Sequence, residues 1–93
     1  MLDKLNQEIK MTSLQLAEVT GKLHKNIIRD IRTEIDQLSG YGAQLIFEPS
    51  SYINSQNKEQ PMYTMGKKGA MQLALKYDAV TRYRVINLSL IHI

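Results

Sequence analysis

The sequence predicts an α+β domain in which helices lead, a β-hairpin follows and helices return. Three observations carry this expectation. Apolar residues between Leu23 and Leu38 recur at i, i+4 and i+7, the stripe of one amphipathic helix. Residues 44–65 turn aromatic and β-branched on both sides of a polar interruption, as two strands around a turn do. After Gly66 the helical spacing resumes.

Taken in order, the opening "MLDKLNQEIK" supports two readings, a helix through Leu2, Leu5 and Ile9 or a short strand over "EIKMT", and neither is chosen. Thr12 with Gln15 has capping-box spacing, in which each side chain satisfies an orphaned backbone N–H of a helix start. Leu14, Ala17 and Val19 are expected to face inward along that helix, and Gly21 to end it in the left-handed conformation. The second helix, Leu23 to Leu38, carries Ile27, Ile28, Ile31 and Ile35 on its apolar stripe, and "SGYG" (residues 39–42) closes it. The hairpin spans residues 44–65, with "QLIFEPSSYI" and "PMYTM" as strands, Pro49 and Pro61 at edges or strand starts, and "NSQNKEQ" as a long, exposed, flexible tip. In "KKGAMQLALKYD" the residues Ala70, Met71, Ala74, Leu75 and Tyr77 form one helical face, and Asp78 caps a last helix with Val80, Tyr83 and Ile86 inward.

A helix, a glycine turn and a longer helix, followed by a hairpin, make a winged-helix-like arrangement in which the first two helices form a helix-turn-helix. Lys22 and Asp30 occupy places where that pattern often has apolar residues. At 100° per residue Lys22, Lys25, Arg29 and Arg32 fall within about 80° of one another, on a face apart from the isoleucines. Such a helix buries its apolar side and offers a row of cations to phosphates or base edges. Lys22, Lys25 and Arg32 are expected on phosphates, and Arg29 with Asn26 on bases, because guanidinium and amide groups make bidentate base contacts. Ser13, Thr20 and His24 are further candidates for phosphate, and the tip residues Asn54, Gln56, Asn57 and Lys58 for a neighbouring groove or backbone. A solvated helix face and a plain polar turn are the competing structural readings of the same residues.

Composition limits the alternatives. A chain of 93 residues fits one small domain, and an apolar share of 43% with 23% charged residues is a folding balance, not a disordered one. Without cysteine there is no disulfide framework and no thiolate metal site, which suits a reducing cytoplasm. No apolar run approaches a membrane span. The net charge of +3 is modest, but basic and acidic segments alternate along the chain. No HExxH, glycine-rich phosphate loop or nucleophile elbow is present, so neither enzyme chemistry nor a cofactor is expected.

The stretches "MTSLQLAEVTGKLHKNIIRDIR" and "FEPSSYINSQNKEQPMYTMGKKGAMQLALKYD" resemble the phage regulatory protein Rha family, over about Met11 to Ile86. The matching positions are Ser13, Ala17, Glu18, Gly21, Lys22, His24, Arg29, Asp30 and Arg32, then Tyr52, Asn54, Gln56, Asn57, Pro61 and Tyr63. The resemblance implies a bacteriophage or prophage regulator that binds double-stranded DNA, in a family whose members often carry a second, antirepressor-type domain. The competing class is a protein-interaction module acting on a repressor or other phage regulatory protein, and a homodimer is compatible with either. The terminal "LSLIHI" matches what a sequencing-library adapter would encode in frame, so residues 1–87 are taken as the domain, cut short at its C-terminal end, and 88–93 as an assembly artefact without function, His92 included.

Overall fold

Thr12 marks the change from strand to helix. Its hydroxyl accepts from the Gln15 N–H at 3.2 Å while the Gln15 side chain accepts from the Thr12 N–H at 2.8 Å, the reciprocal box read from the spacing. The computed structural model describes residues 10–91, without the side chains of 44, 45 and 89–91; the choice resting on Leu2, Leu5 and Ile9 lies outside the described residues.

A two-residue strand β1 (Met11–Thr12) leads into α1 (Ser13–Thr20), which Gly21 ends at φ 74°, its N–H donating to the Ala17 carbonyl. Helix α2 (His24–Gln37) follows, and Gly40 and Gly42 turn the chain into a single helical turn, α3 (Ala43–Ile46). Strands β2 (Phe47–Ile53) and β3 (Glu59–Met65) form the hairpin, and α4 (Lys67–Ala74) and α5 (Ala79–Ile91) complete the order. The architecture is α+β, with a three-stranded antiparallel sheet ordered β1-β3-β2, compatible with a winged-helix-like arrangement. Residues 44–46, expected as strand, are helical, so pairing begins only where Phe47 meets Met65.

Both prolines fit the ladder by parity. Pro49 pairs with Tyr63, and the Tyr63 N–H points away from β2, to Ser13; the register therefore puts the N–H side of residues 49 and 61 where no strand needs a donor.

Ile27 and Ile31 of α2 are fully buried with Met11, Leu16, Phe47, Met65, Leu73 and Val85. Burying each isoleucine contributes about 1.5–3 kcal/mol, which explains why this helix was the most legible one. Three other faces are corrected. In α1 the buried residues are Ser13 and Leu16, with Leu14, Ala17 and Val19 only half-buried. In α4 Leu73 is buried while Met71 and Leu75 are exposed, and in α5 Val85 is buried while Val80 and Tyr83 are exposed. Leu23 is exposed as well, leaving the stripe of α2 to begin at Ile27.

The C-terminal helices dock on α2 through polar contacts. Glu34, buried, accepts from Gln72 Nε2 at 3.3 Å and pairs with Lys76 at 3.7 Å. Tyr77 donates to Asp30 Oδ2 at 3.2 Å, and the Lys22 ammonium lies 5.0 Å from the centre of the Tyr77 ring. These contacts account for polar residues at positions 22 and 30, where the helix-turn-helix pattern favours apolar ones. Asp78 caps α5 through Thr81, which holds its carboxyl below the usual range. At Gly69 an added Cβ would stand 2.5 Å from the Ile46 carbonyl oxygen, so glycine is what lets α4 lie against α3.

Candidate nucleic-acid interface

Lys25, Arg29 and Arg32 all project into solvent from α2, and none forms an ion pair among the described residues. Asp36, one turn beyond Arg32 on α2, makes no ion pair with it among the described residues. Lys25 and Arg32 share one side of the helix with Ile28, and that side faces the hairpin. Together with His24, Tyr52, Gln60 and Pro61 they line an open groove of about 370 Å³. Arg29, rotated about 40° from Lys25, stands on the outer flank of the groove, and Asn26, half-buried, lies further round.

Lys22 does not belong to this row. It precedes Leu23, the N-cap residue of α2, so helical geometry does not govern it, and its side chain goes to Tyr77 instead. It remains exposed, on the side of the C-terminal helices.

Ser13 is the clearest correction. Its side chain is fully buried and cannot touch a phosphate. Its hydroxyl oxygen accepts from the Tyr63 N–H at 3.0 Å and lies 2.8 Å from His24 Nε2. Burial lowers the pKa of His24 and so favours the neutral ring. A neutral ring keeps one nitrogen as donor and one as acceptor, so the direction of the Ser13–His24 hydrogen bond follows the tautomer. The ring also meets Tyr52 edge to face, with centroids 5.8 Å apart. Ser13, His24, Tyr52 and Tyr63, all read from the sequence as motif positions, thus form one cluster that fixes the start of α2 against both strands of the hairpin. Thr20 is likewise turned back onto its own helix, donating to the Leu16 carbonyl at 2.7 Å.

The hairpin tip is shorter and better held than expected, because Glu59 and Gln60 belong to β3. Asn54 Oδ1 accepts from the N–H groups of Gln56 and Lys58 at 2.9 and 3.0 Å, an Asx-type closure that commits this side chain to the turn. Asn57 sits at φ 63°, a conformation asparagine tolerates better than most residues. Gln56, Asn57 and Lys58 stay exposed.

Sequence reasoning missed Gln60 and Pro61 as groove residues, since both were read as tip or strand edge. Period-two alternation from Tyr52 and its partner Gln60 would have placed them beside α2 only with the register known. No group of three metal-ligating side chains and no helix long and apolar enough to cross a membrane occurs among the described residues.

Comparison with known proteins completes the picture. The family described as Phage regulatory protein Rha matches over residues 11–87. A protein of Haemophilus influenzae (strain Rd), described as "Uncharacterized protein", is 44% identical over 72 residues, covering 76% of this chain and 42% of that relative. The chain therefore spans less than half the length of the relative it matches. No solved structure matches the chain.

Proposed function

Because the chain belongs to the phage regulatory protein Rha family, we propose that it regulates phage or prophage genes in the host cytoplasm by occupying double-stranded DNA, without catalysis. One observation supports this reading above the others: α2 buries its isoleucines and leaves Lys25, Arg29 and Arg32 exposed and free of ion pairs among the described residues. In this proposal α2 enters the major groove. Lys25 and Arg32 hold a phosphate strand in the cleft beside the hairpin, Arg29 reads a base edge from the outer flank, and Asn57 and Lys58 meet the adjoining backbone. His24 lines the same cleft.

With three cationic phosphate contacts, from Lys25, Arg32 and Lys58, log affinity falls against log salt with a slope of about −2.7. Fluorescence anisotropy with duplex fragments spanning prophage regulatory regions measures this directly. A response independent of salt rejects the reading. Retention of a repressor in a pull-down that survives nuclease and high salt, without duplex binding, would replace it by the protein-interaction reading.

A further inference from the structure

On the side of the molecule formed by its C-terminal helices, α4 and α5 enclose an open groove of about 310 Å³ that shares no residue with the cleft beside α2. Met71, Ala74, Leu75 and Ile86 supply its apolar surface, and Lys68 and Arg82 stand on it as cations. No carboxylate lines it. Met71 and Leu75, one helical turn apart, are 45% and 70% exposed and form one contiguous apolar strip. Arg82 is held in place by donating to the Tyr77 carbonyl at 3.3 Å.

Three occupants compete for such a groove, and charge separates them. Nucleic acid fits the cations but not the apolar surface between them. A second copy pairing the same groove across a two-fold axis would set Lys68 and Arg82 against their own counterparts, with no lining carboxylate to offset the repulsion. An amphipathic helix with acidic flanks satisfies both features. From Lys68 to Leu75 the groove runs about two helical turns, or roughly 10 Å, and side chains four apart on a docked helix repeat every 6 Å or so. Two apolar anchors therefore fit along the stretch from Lys68 to Leu75.

We propose that the α4–α5 groove is a docking site for a short acidic amphipathic helix of another protein. The helix places two apolar side chains, three or four positions apart, against Met71, Leu75 and Ile86, and carboxylates on Lys68 and Arg82. This contact does not depend on DNA binding by α2, and the two activities are separable.

The test uses a random peptide display library selected on the full chain, followed by anisotropy of the enriched peptides as synthetic, labelled probes. Enriched sequences are expected to carry apolar residues three or four apart with Asp or Glu beside them. Their affinity should drop by about tenfold or more in Leu75→Glu and in Arg82→Glu, both at positions whose replacement leaves the buried core intact, and should be unchanged in Arg29→Ala. Absence of enrichment, enriched peptides without carboxylates, or binding that survives both groove variants each overturns the proposal. So does sedimentation showing a dimer that Leu75→Glu dissociates. Loss of duplex binding with peptide binding retained would instead count against the reading of α2 alone.

Discussion

Ser13 shows how a residue can be picked out correctly and assigned the wrong direction. A hydroxyl at the start of a helix-turn-helix has the chemistry of a phosphate contact, but here it completes the fold, accepting from Tyr63 and contacting His24. Nothing in the local sequence separates the two, because the partners lie 11 and 50 positions away. Ser13→Ala strands a backbone N–H and a ring nitrogen, and is expected to cost about 1–3 kcal/mol in urea denaturation, with duplex affinity lowered at every sequence alike. The cations of α2 were easier to read, since their exposure follows from the isoleucine stripe opposite them. For these, Arg29→Ala is expected to lose about 1–3 kcal/mol of binding and to relax preference at one base pair, whereas Lys25→Ala weakens all sequences equally. Measured affinities over a set of single-base variants check both; identical profiles would remove the distinction between the two residues.

Among the elements, those with chemical punctuation were legible: the Thr12–Gln15 box, Gly21, the Asp78 cap and the two prolines at donor-free positions all stand where their chemistry put them. The inward faces of α1, α4 and α5 were not. Each carries apolar residues on more than one side, as Leu14 and Leu16 do in α1 and Met71 and Leu73 in α4, so periodicity leaves more than one face open and the partner surface decides. The short turn α3 was also invisible, its four residues being too few for a period to register. Gly69 depends on that turn. Alanine there would gain up to about 1 kcal/mol of helix propensity, but its Cβ would meet the Ile46 carbonyl, and moving a backbone atom outweighs the gain. Gly69→Ala is accordingly expected to be destabilising by as much as about 2 kcal/mol in thermal or urea unfolding, opposite in sign to the usual effect of this change in a helix.

Across the whole molecule, the C-terminal helices are joined to α2 through Tyr77. Burial, followed by the charge and hydrogen bond of Asp30, raises the pKa of its phenol. A group with a raised folded-state pKa contributes fully below its unfolded value of about 10 and loses that contribution as pH climbs above it. The urea midpoint is therefore expected to fall progressively above about pH 10, and the fall to be smaller in Tyr77→Phe, which has no proton to release. Equal alkaline sensitivity in both proteins would show that Tyr77 is not the group responsible. How α2, the hairpin and the last two helices close on one another could not be read from the sequence, because the deciding contacts, Tyr77 with Asp30 and Glu34 with Lys76, join segments dozens of residues apart.

The brevity of β1 has one more consequence. Two residues cover only the base of the central strand, and beyond them the Tyr63 amide is satisfied by a side chain where a neighbouring strand would ordinarily stand. That single hydroxyl thus satisfies the edge of β3 from beneath α1, inside the fold. Removing it would leave that amide unpaired in the interior, so the junction of strand and helix rests in part on an atom that never meets solvent.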